Sequence, residues 1–441
     1  MYVSLPEHVI LKARYGEWYF IDTQHRNRER LLIESDTVEL VHTILRGASI
    51  FDVATHYDLP INEVVAFVDA LRAEGVMILC DAPVDASGRC FAFEPPLDSI
   101  NILITNACNL TCAHCYVQSG KRLRGELTGT EWVTVLEQAR CLGAFELNVS
   151  GGEPLLHRNF WDIAEYIATV PTFNANLNTN GTQQIEGHEN VLARAFKSVQ
   201  ISLDDVIPER HDAFRGKHGS FVKAVRTIEH LVKVGVETNV AFTLTPQNIG
   251  VLNDVIEFCE RIGVSALNIG LLAGIGRARA NYLLQVTPRS SSTSAFFRAV
   301  YHALRDLAVR QTSLRLLFPF RIREAERETL TEKRFICSGD TTQIVYVLAD
   351  GTISPCDKMP SEAFGYGNIR ENSLADVWNS ERMRAFKLMS PRELPKCRAC
   401  PHLQVCGGAC IARAYQDGGS IESPDWASCA IAQQLAADHQ A

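Results

Sequence analysis

Along residues 99–325 the hydrophobic positions switch repeatedly between two periods. Short apolar runs at 100–105, 146–150, 174–179, 198–203, 236–244 and 266–270 have strand length. Between them, 130–141, 160–169, 220–233 and 252–262 place apolar residues at helical spacing, with Gly143 and Gly235 closing two of these helices. At least six strand–helix repeats predict an α/β unit whose parallel sheet is closed or nearly closed into a partial (β/α)6 barrel. In such folds the chemistry sits at the carboxyl ends of the strands.

Residues 1–85 read as a separate unit. Positions 9–12, 18–22 and 30–34 are short strands. A helix follows Asp36 through Val38, Leu40, Val41, Ile44 and Leu45, and Gly47 ends it. Residues 50–56 and 61–74 are further helices, the latter with Val64, Val68 and Leu71 on its apolar side, and 76–79 returns as a strand. This order resembles a small winged helix. Residues 86–98, with the Pro95-Pro96 pair, form a linker. From 326 to 441 apolar runs thin out, and cysteine, glycine and proline take over. A region with so little core needs staples, which metal clusters can supply.

Composition narrows the picture. The 441 residues are 46 % hydrophobic and 21 % charged, as in an ordinary globular protein, and the net charge of −8 argues against a polyanion-binding chain. The helix 61–74 carries Glu63, Asp69 and Glu74 against a lone Arg72, a poor reader of nucleic acid. No apolar run is long enough to span a bilayer, and the first residues lack the pattern of a secretory signal, so a cytoplasmic location is expected. Fourteen cysteines in a reducing compartment are not seven disulfides. Three fall within eight residues and five within 397–429, bunching that suits soft-metal ligation.

Cys108, Cys112 and Cys115 follow the first barrel strand with the spacing C-x3-C-x2-C. Three thiolates fill three corners of a cubane cluster and leave one iron exchangeable, whereas electron carriers use four cysteines. The segment from Cys108 to Tyr116, with His114 between two cysteines, resembles the cluster loop of the radical S-adenosylmethionine (SAM) superfamily. A zinc site is the plainer alternative, but a well-placed fourth ligand is missing. The resemblance implies one-electron reductive cleavage of SAM at a 4Fe–4S cluster, and it extends through the barrel. Gly151-Gly152-Glu153-Pro154 matches the segment that holds the SAM amino group. Glycines admit a close ligand and Glu153 can accept from an ammonium. Asn180, Ser202 and Asp204, at later strand ends, match contacts to the SAM methionine or ribose. Arg215 and Arg277 match segments whose arginines can pair with its carboxylate, and a solvated surface arginine is the alternative for each.

Seven further cysteines, Cys337, Cys356, Cys397, Cys400, Cys406, Cys410 and Cys429, match the SPASM extension of radical SAM maturases. By resemblance, Cys397, Cys400, Cys406 and Cys429 hold a distal 4Fe–4S cluster. Cys337, Cys356 and Cys410 hold a middle one, 4Fe–4S or 2Fe–2S. Thr331 stands where some members have another ligand, so the middle cluster is open, has an unrecognised fourth ligand, or holds two irons. A zinc knuckle is the alternative for 397–410. Of the leftover cysteines, Cys141 and Cys259 read as buried helical residues, and Cys80 and Cys90 lie near the linker.

Attached to such a maturase, the N-terminal unit resembles the peptide-recognition domain related to the pyrroloquinoline quinone chaperone. The resemblance implies that it binds a leader peptide along the 30–34 strand edge, with Arg26, Arg28 and Arg30 attracting acidic residues. A packing domain is the alternative. The function implied is radical modification of a ribosomally made precursor peptide by a thioether or carbon–carbon crosslink, with a reductant such as flavodoxin or ferredoxin. Single-residue oxidation of a protein, as in sulfatase-activating enzymes, or modification of a non-peptide substrate are the alternatives.

Overall fold

In a computed structural model of the chain, the described residues are 1–14, 17–24, 31–92, 96–281, 291–308, 310–317, 343–389, 394–403 and 410–438. Cys337, Cys406, Thr331, Arg26, Arg28 and Arg30 lie outside them. The N-terminal unit contains β1 (Tyr2–Ser4), β2 (Val9–Arg14), β3 (Glu17–Asp22), β4 (Leu31–Ile33), α1 (Val38–Leu45), α2 (Ile50–His56), α3 (Ile61–Ala73), β5 (Ile78–Cys80) and β6 (Cys90–Phe91). The strand–helix order matches the sequence reading, with two additions. Strand β1 pairs antiparallel with β5, and β6, inside the proline-bearing stretch, adds itself to β2, giving the sheet order β4-β3-β2-β6. Val41, Ile44, Val53, Val64 and Val68 meet Val9, Leu11 and Phe20 in one core. Ser49 caps α2 through a reciprocal bond with Asp52.

The barrel strands are β7 (Ser99–Leu103), β8 (Glu146–Ser150), β9 (Asn174–Thr179), β10 (Ser198–Ser202), β11 (Thr238–Leu244), β12 (Ala266–Leu271) and β13 (Arg315–Leu317), all parallel and in chain order across the sheet. Helices α4 (Gly129–Cys141), α5 (Phe160–Ala168), α6 (Glu189–Ala195), α7 (Pro208–Arg215), α8 (Ser220–Lys233) and α9 (Leu252–Arg261) fall among the strands from β7 to β12. The strands are less uniformly apolar than the sequence reading held. Ile100, Ile102, Leu147, Val149, Val199 and Ile201 are buried toward the helices, while Asn101, Asn148 and Gln200 between them face the lumen and are only half-buried. These amides bond to one another across strands: Asn148 to Asn101 at 2.8 Å, Gln200 to Asn178 at 2.6 Å, Asn268 to Gln200 at 3.1 Å. The lumen is therefore a polar space, unlike the packed interior of a closed eight-stranded barrel.

The sheet continues into the C-terminal region. Strand β14 (Ile344–Val347) runs parallel to β7, and β15 (Thr352–Ser354) and β16 (Gly367–Asn368) follow antiparallel, completing a ten-stranded sheet. Tyr346 lies opposite Asn101 and so shares its lumen face. Two leftover cysteines separate: Cys259 is buried in the core, but Cys141, at the end of α4, is exposed, against the sequence reading.

The N-terminal sheet docks on the amino ends of the barrel strands. Lys12, on β2, is fully buried, with Nζ 2.9 Å from Asp98 just before β7. The same ammonium donates to the carbonyl of Leu97 and, at 2.7 Å, to that of Gly143. Phe91 covers Gly143 so closely that a Cβ there would come within 2.6 Å of the ring. Ile10 and Ile21 meet Phe145 beside it. A buried pair that loses one partner costs about 3–5 kcal/mol, because the other charge is left uncompensated, so Lys12 and Asp98 bolt the units together.

Candidate functional site

The cysteine loop leaves the carboxyl end of β7 and folds back on itself. The Cys108 amide donates to the Gly120 carbonyl at 2.9 Å, and the Gly120 amide to Asn106 at 2.9 Å. Neighbouring elements hold the rest. Thr111 and Ala113 amides donate to the Arg215 and Phe214 carbonyls at the end of α7, at 3.2 and 2.9 Å. The Arg277 amide donates to the Cys115 carbonyl at 3.0 Å, and its guanidinium to the Cys112 carbonyl at 2.9 Å and the Ser119 carbonyl at 2.7 Å. Arg277 thus meets the site as a clamp on the loop backbone.

The glycine pair acts the same way. Gly151 has φ of +140°, and a Cβ on it would lie 2.5 Å from the Thr105 carbonyl; one on Gly152 would collide with the Ala107 carbonyl. The close approach that demands glycine here is between two strand ends, loop against loop. Amides of Gly152 and Glu153 donate to Thr105 and Ala107 at 2.7 and 2.8 Å. The Glu153 carboxylate is fully buried and accepts from Thr179 Oγ1 at 2.8 Å, the Asn180 amide at 2.8 Å and the Leu155 amide at 3.2 Å. Burial pushes its pKa up to about 7 against those three donors. Pro154 opens the short helical turn that follows. Asn180 Nδ2 donates to Asn109 at 2.9 Å and stands 4.0 Å from the Cys108 sulfur.

Beneath Cys112 lies a buried ion pair. Arg215 Nε and Nη2 reach Asp204 Oδ2 at 2.6 and 2.5 Å, and Nη1 stands 3.9 Å from the Cys112 sulfur. Burial would raise the Asp204 carboxyl, but the Arg215 guanidinium outweighs it and holds the group below its ordinary value. The Thr243 amide donates to Asp204 Oδ1 at 2.8 Å, and Asn248 Nδ2 to its carbonyl at 3.1 Å. Ser202, two residues before Asp204, ends β10. His114 stacks on Phe214, ring centroids 4.3 Å apart, and burial, with Arg215 adding, pulls it down to about 3. It is neutral at physiological pH.

Sequence reasoning missed one group. Tyr116 directly follows Cys115, and its hydroxyl donates to Asp357 Oδ2 at 2.6 Å; Asp357 directly follows Cys356. Lys358 Nζ sits 3.2 Å from Asp357 Oδ1 and 4.7 Å from the Tyr116 ring centroid. Burial, with Asp357 adding, raises the Tyr116 phenol well above its ordinary value, so the proton stays on oxygen. The signal was present: each residue sits one step beyond a cysteine.

Two thiol groupings recur in the electrostatics. Cys356 feels Cys410, and Cys429 feels Cys397 and Cys400. In the barrel loop Cys108 feels Cys112 and Cys115. Burial is the main cause that raises Cys108, to about 11, so loading metal must displace protons. Among the described residues no three His, Cys, Asp or Glu side chains stand in ready metal-holding geometry. The donor set nonetheless suits an iron–sulfur cluster: soft thiols on one loop, with N–H donors aimed at two of the sulfurs.

Comparison with known proteins follows the same lines. The radical SAM superfamily profile matches residues 102–259, and the SPASM iron–sulfur cluster-binding domain matches 337–401. The sporulation killing factor maturation protein SkfB of Bacillus subtilis is 28 % identical over 310 residues, 70 % of this chain and 71 % of that protein. An AdoMet-dependent heme synthase of Methanosarcina barkeri is 30 % identical over 332 residues, 72 % of this chain and 91 % of its own. Streptococcus suis SuiB bound to the precursor peptide SuiA shares the fold at a TM-score of 0.73 and 13 % identity, covering 97 % of this chain and 99 % of SuiB.

Proposed function

Since the chain belongs to the radical SAM superfamily and carries a SPASM iron–sulfur domain, we propose that it modifies a ribosomally made precursor peptide. Such domains bind SAM with a 4Fe–4S cluster and auxiliary iron–sulfur clusters, which makes this chain an enzyme. When bound, SAM and its reduced cluster supply the 5′-deoxyadenosyl radical that takes hydrogen from an unactivated C–H bond. Cys108, Cys112 and Cys115 hold the first cluster. Cys356 and Cys410 serve the middle cluster, and Cys397, Cys400 and Cys429 the distal one, with Cys337 and Cys406 from outside the described residues. No helix among the described residues is long and apolar enough to cross a membrane.

The residues of this chain orient and protect the reaction. Arg277 and the Gly151-Gly152 pair keep the loop closed, and Arg215 keeps positive charge beside Cys112. Crosslinking removes two hydrogens. The deoxyadenosyl radical takes one as an atom, and the other leaves as a proton and an electron, the electron being what an auxiliary cluster would take up. Asp357, between two cysteine loops, is the carboxylate assigned to the proton. The lumen amides offer both donors and acceptors, which suits a peptide backbone.

One observation carries the peptide reading: a second sheet, bolted to the barrel, ends in the edge strand β4, with Leu32 52 % exposed. The named functions of SkfB and of SuiB with its peptide point the same way. The heme synthase favours a second reading, radical modification of a non-peptide substrate. Mass spectra of peptides encoded near the gene, taken before and after anaerobic reaction with SAM, separate the two: a crosslink removes a pair of hydrogens. An unchanged mass across all such peptides overturns the peptide reading.

The leader should add to β4 as a further strand. Leu32→Pro removes one backbone donor there, worth about 1 kcal/mol, so affinity for full-length precursor should fall roughly 3- to 10-fold. Deoxyadenosine formation without peptide should not change. Circular dichroism must show the domain folded; equal binding by a folded variant refutes edge addition.

A further inference from the structure

Reductive SAM cleavage consumes one electron per turnover, and the donor has to reach the cysteine loop from outside the barrel. One side of that loop is open. Thr111, between Cys108 and Cys112, is exposed, and the segment after Ser119 runs along the rim, tied to the loop by the Cys108–Gly120 bond and by Asn106 Nδ2 donating to the Lys121 carbonyl at 2.9 Å. That rim reads Gly-Lys-Arg-Leu-Arg-Gly from 120 to 125, and Lys121, Arg122, Leu123 and Arg124 are all exposed, Leu123 to 43 %. Lys121 and Arg124 have no ion-pair or hydrogen-bond partner for their side chains among the described residues. Arg122 is partly tethered, 2.9 Å from the Leu156 carbonyl and 3.7 Å from Glu126. Glu126, whose carboxylate also accepts from Thr105, Asn106 and Leu123, offsets one of these charges and leaves the rim net positive. Beyond Cys108 on the other flank, exposed Lys217 donates to the Asn109 carbonyl at 3.2 Å.

Three cations beside Leu123 on one flank and Lys217 on the other thus border the loop, on a chain whose net charge is −8. A local field opposite to the overall sign selects for an anionic partner and orients its approach. We propose that the surface formed by Lys121, Arg122, Leu123, Arg124 and Lys217 is the docking site of an acidic one-electron carrier protein of the flavodoxin or ferredoxin class. The inference rests on the radical SAM reading of the loop. The carrier loses one electron, the sulfonium of SAM takes it up, and the carbon–sulfur bond breaks to methionine and the deoxyadenosyl radical. Leu123 supplies the dry contact among the three rim cations, and the cations supply steering.

The test compares the parent with Lys121→Glu/Arg124→Glu, and with Lys233→Glu at the far end of α8 as a control, all cluster-loaded. Calorimetric titration with oxidised flavodoxin should show binding to the parent that weakens as salt rises from about 50 to about 300 mM. The double variant should bind roughly tenfold or more weakly, the usual scale of steering by a charged patch, and the control should match the parent. Deoxyadenosine formation driven by reduced flavodoxin should fall in parallel, while that driven by dithionite stays unchanged. Unaltered flavodoxin affinity, or an equal loss with dithionite, overturns the proposal. So does a double variant that loses affinity for precursor peptide and keeps it for flavodoxin. A parent that makes no deoxyadenosine even with dithionite removes the radical reading itself, and the docking site with it.

Discussion

Cys112→Ala should reduce deoxyadenosine formation to the detection limit while the C-terminal domain keeps its iron. The parent, loaded anaerobically, should hold about ten to twelve irons per chain, and the variant about four fewer. The argument is local. Cys112 is the buried member of the loop trio, and Arg215 Nη1 stands 3.9 Å from its sulfur, so the substitution removes both a ligand and the thiolate that this cation faces. Cys356, Cys397, Cys400, Cys410 and Cys429 belong to other segments and are untouched. Iron analysis and a deoxyadenosine assay on one preparation settle the matter. Retained cleavage would refute the assignment of the loop, and about four irons in the parent would refute the C-terminal clusters.

Arg215→Met should strongly destabilise the barrel. It leaves Asp204 buried beside His211, without the guanidinium that holds its carboxylate charged. The expected cost is about 3–5 kcal/mol at neutral pH. In a barrel of this size that is a melting shift of roughly 10 °C. The pH dependence carries the diagnosis. In the parent, the folded-state pKa of Asp204 lies below the unfolded value of about 3.9, so the pair stabilises above that value and the benefit is lost as acid takes pH through the folded pKa. In the variant, burial outweighs the remaining Thr243 amide donor and raises the carboxyl. Its folded state then keeps a proton that the unfolded state releases, and stability falls as pH rises from about 4. Melts should therefore separate widely at pH 7–8 and converge toward pH 4. Adding Asp204→Asn should recover part of the loss. A gap that does not depend on pH would mean the arginine acts through packing.

Much of this was legible in the sequence because it is local. The barrel strands at Glu146–Ser150 and Asn174–Thr179, the helix Ser220–Lys233 and the cysteine spacing are each written in a window of a few residues. What was missed depends on partners far along the chain. Lys12, in an apolar run, reads as a surface lysine until Asp98 and Gly143 are placed around it. The pairing of β14 with β7 joins residues some 245 apart, and no local pattern announces a parallel neighbour. The segment Gly151–Pro154 stood out in the sequence as a candidate SAM contact, and the structure adds a second reason for its residues, which no local pattern displays. The glycines yield to the Thr105 and Ala107 backbone, and Glu153 is spent on Thr179 and Asn180. The lumen amides were visible as single polar residues within apolar strands, and reading 100–105 as an unbroken apolar run hid the alternation there.

The bolt through Lys12 also sets a length. The N-terminal sheet sits at the amino ends of the barrel strands, and the cysteine loop leaves their carboxyl ends. A five-residue strand such as β8 spans about 17 Å at roughly 3.3 Å per residue. With no slack in the joint, a peptide anchored on β4 must spend at least about five extended residues climbing that height before any side chain arrives where a radical can reach it. On the proposed reading the enzyme would act as a ruler. Residues nearer the anchor than this minimum would be spared whatever their chemistry, and residues well beyond it would be reached with a probability that declines only slowly as the tether lengthens.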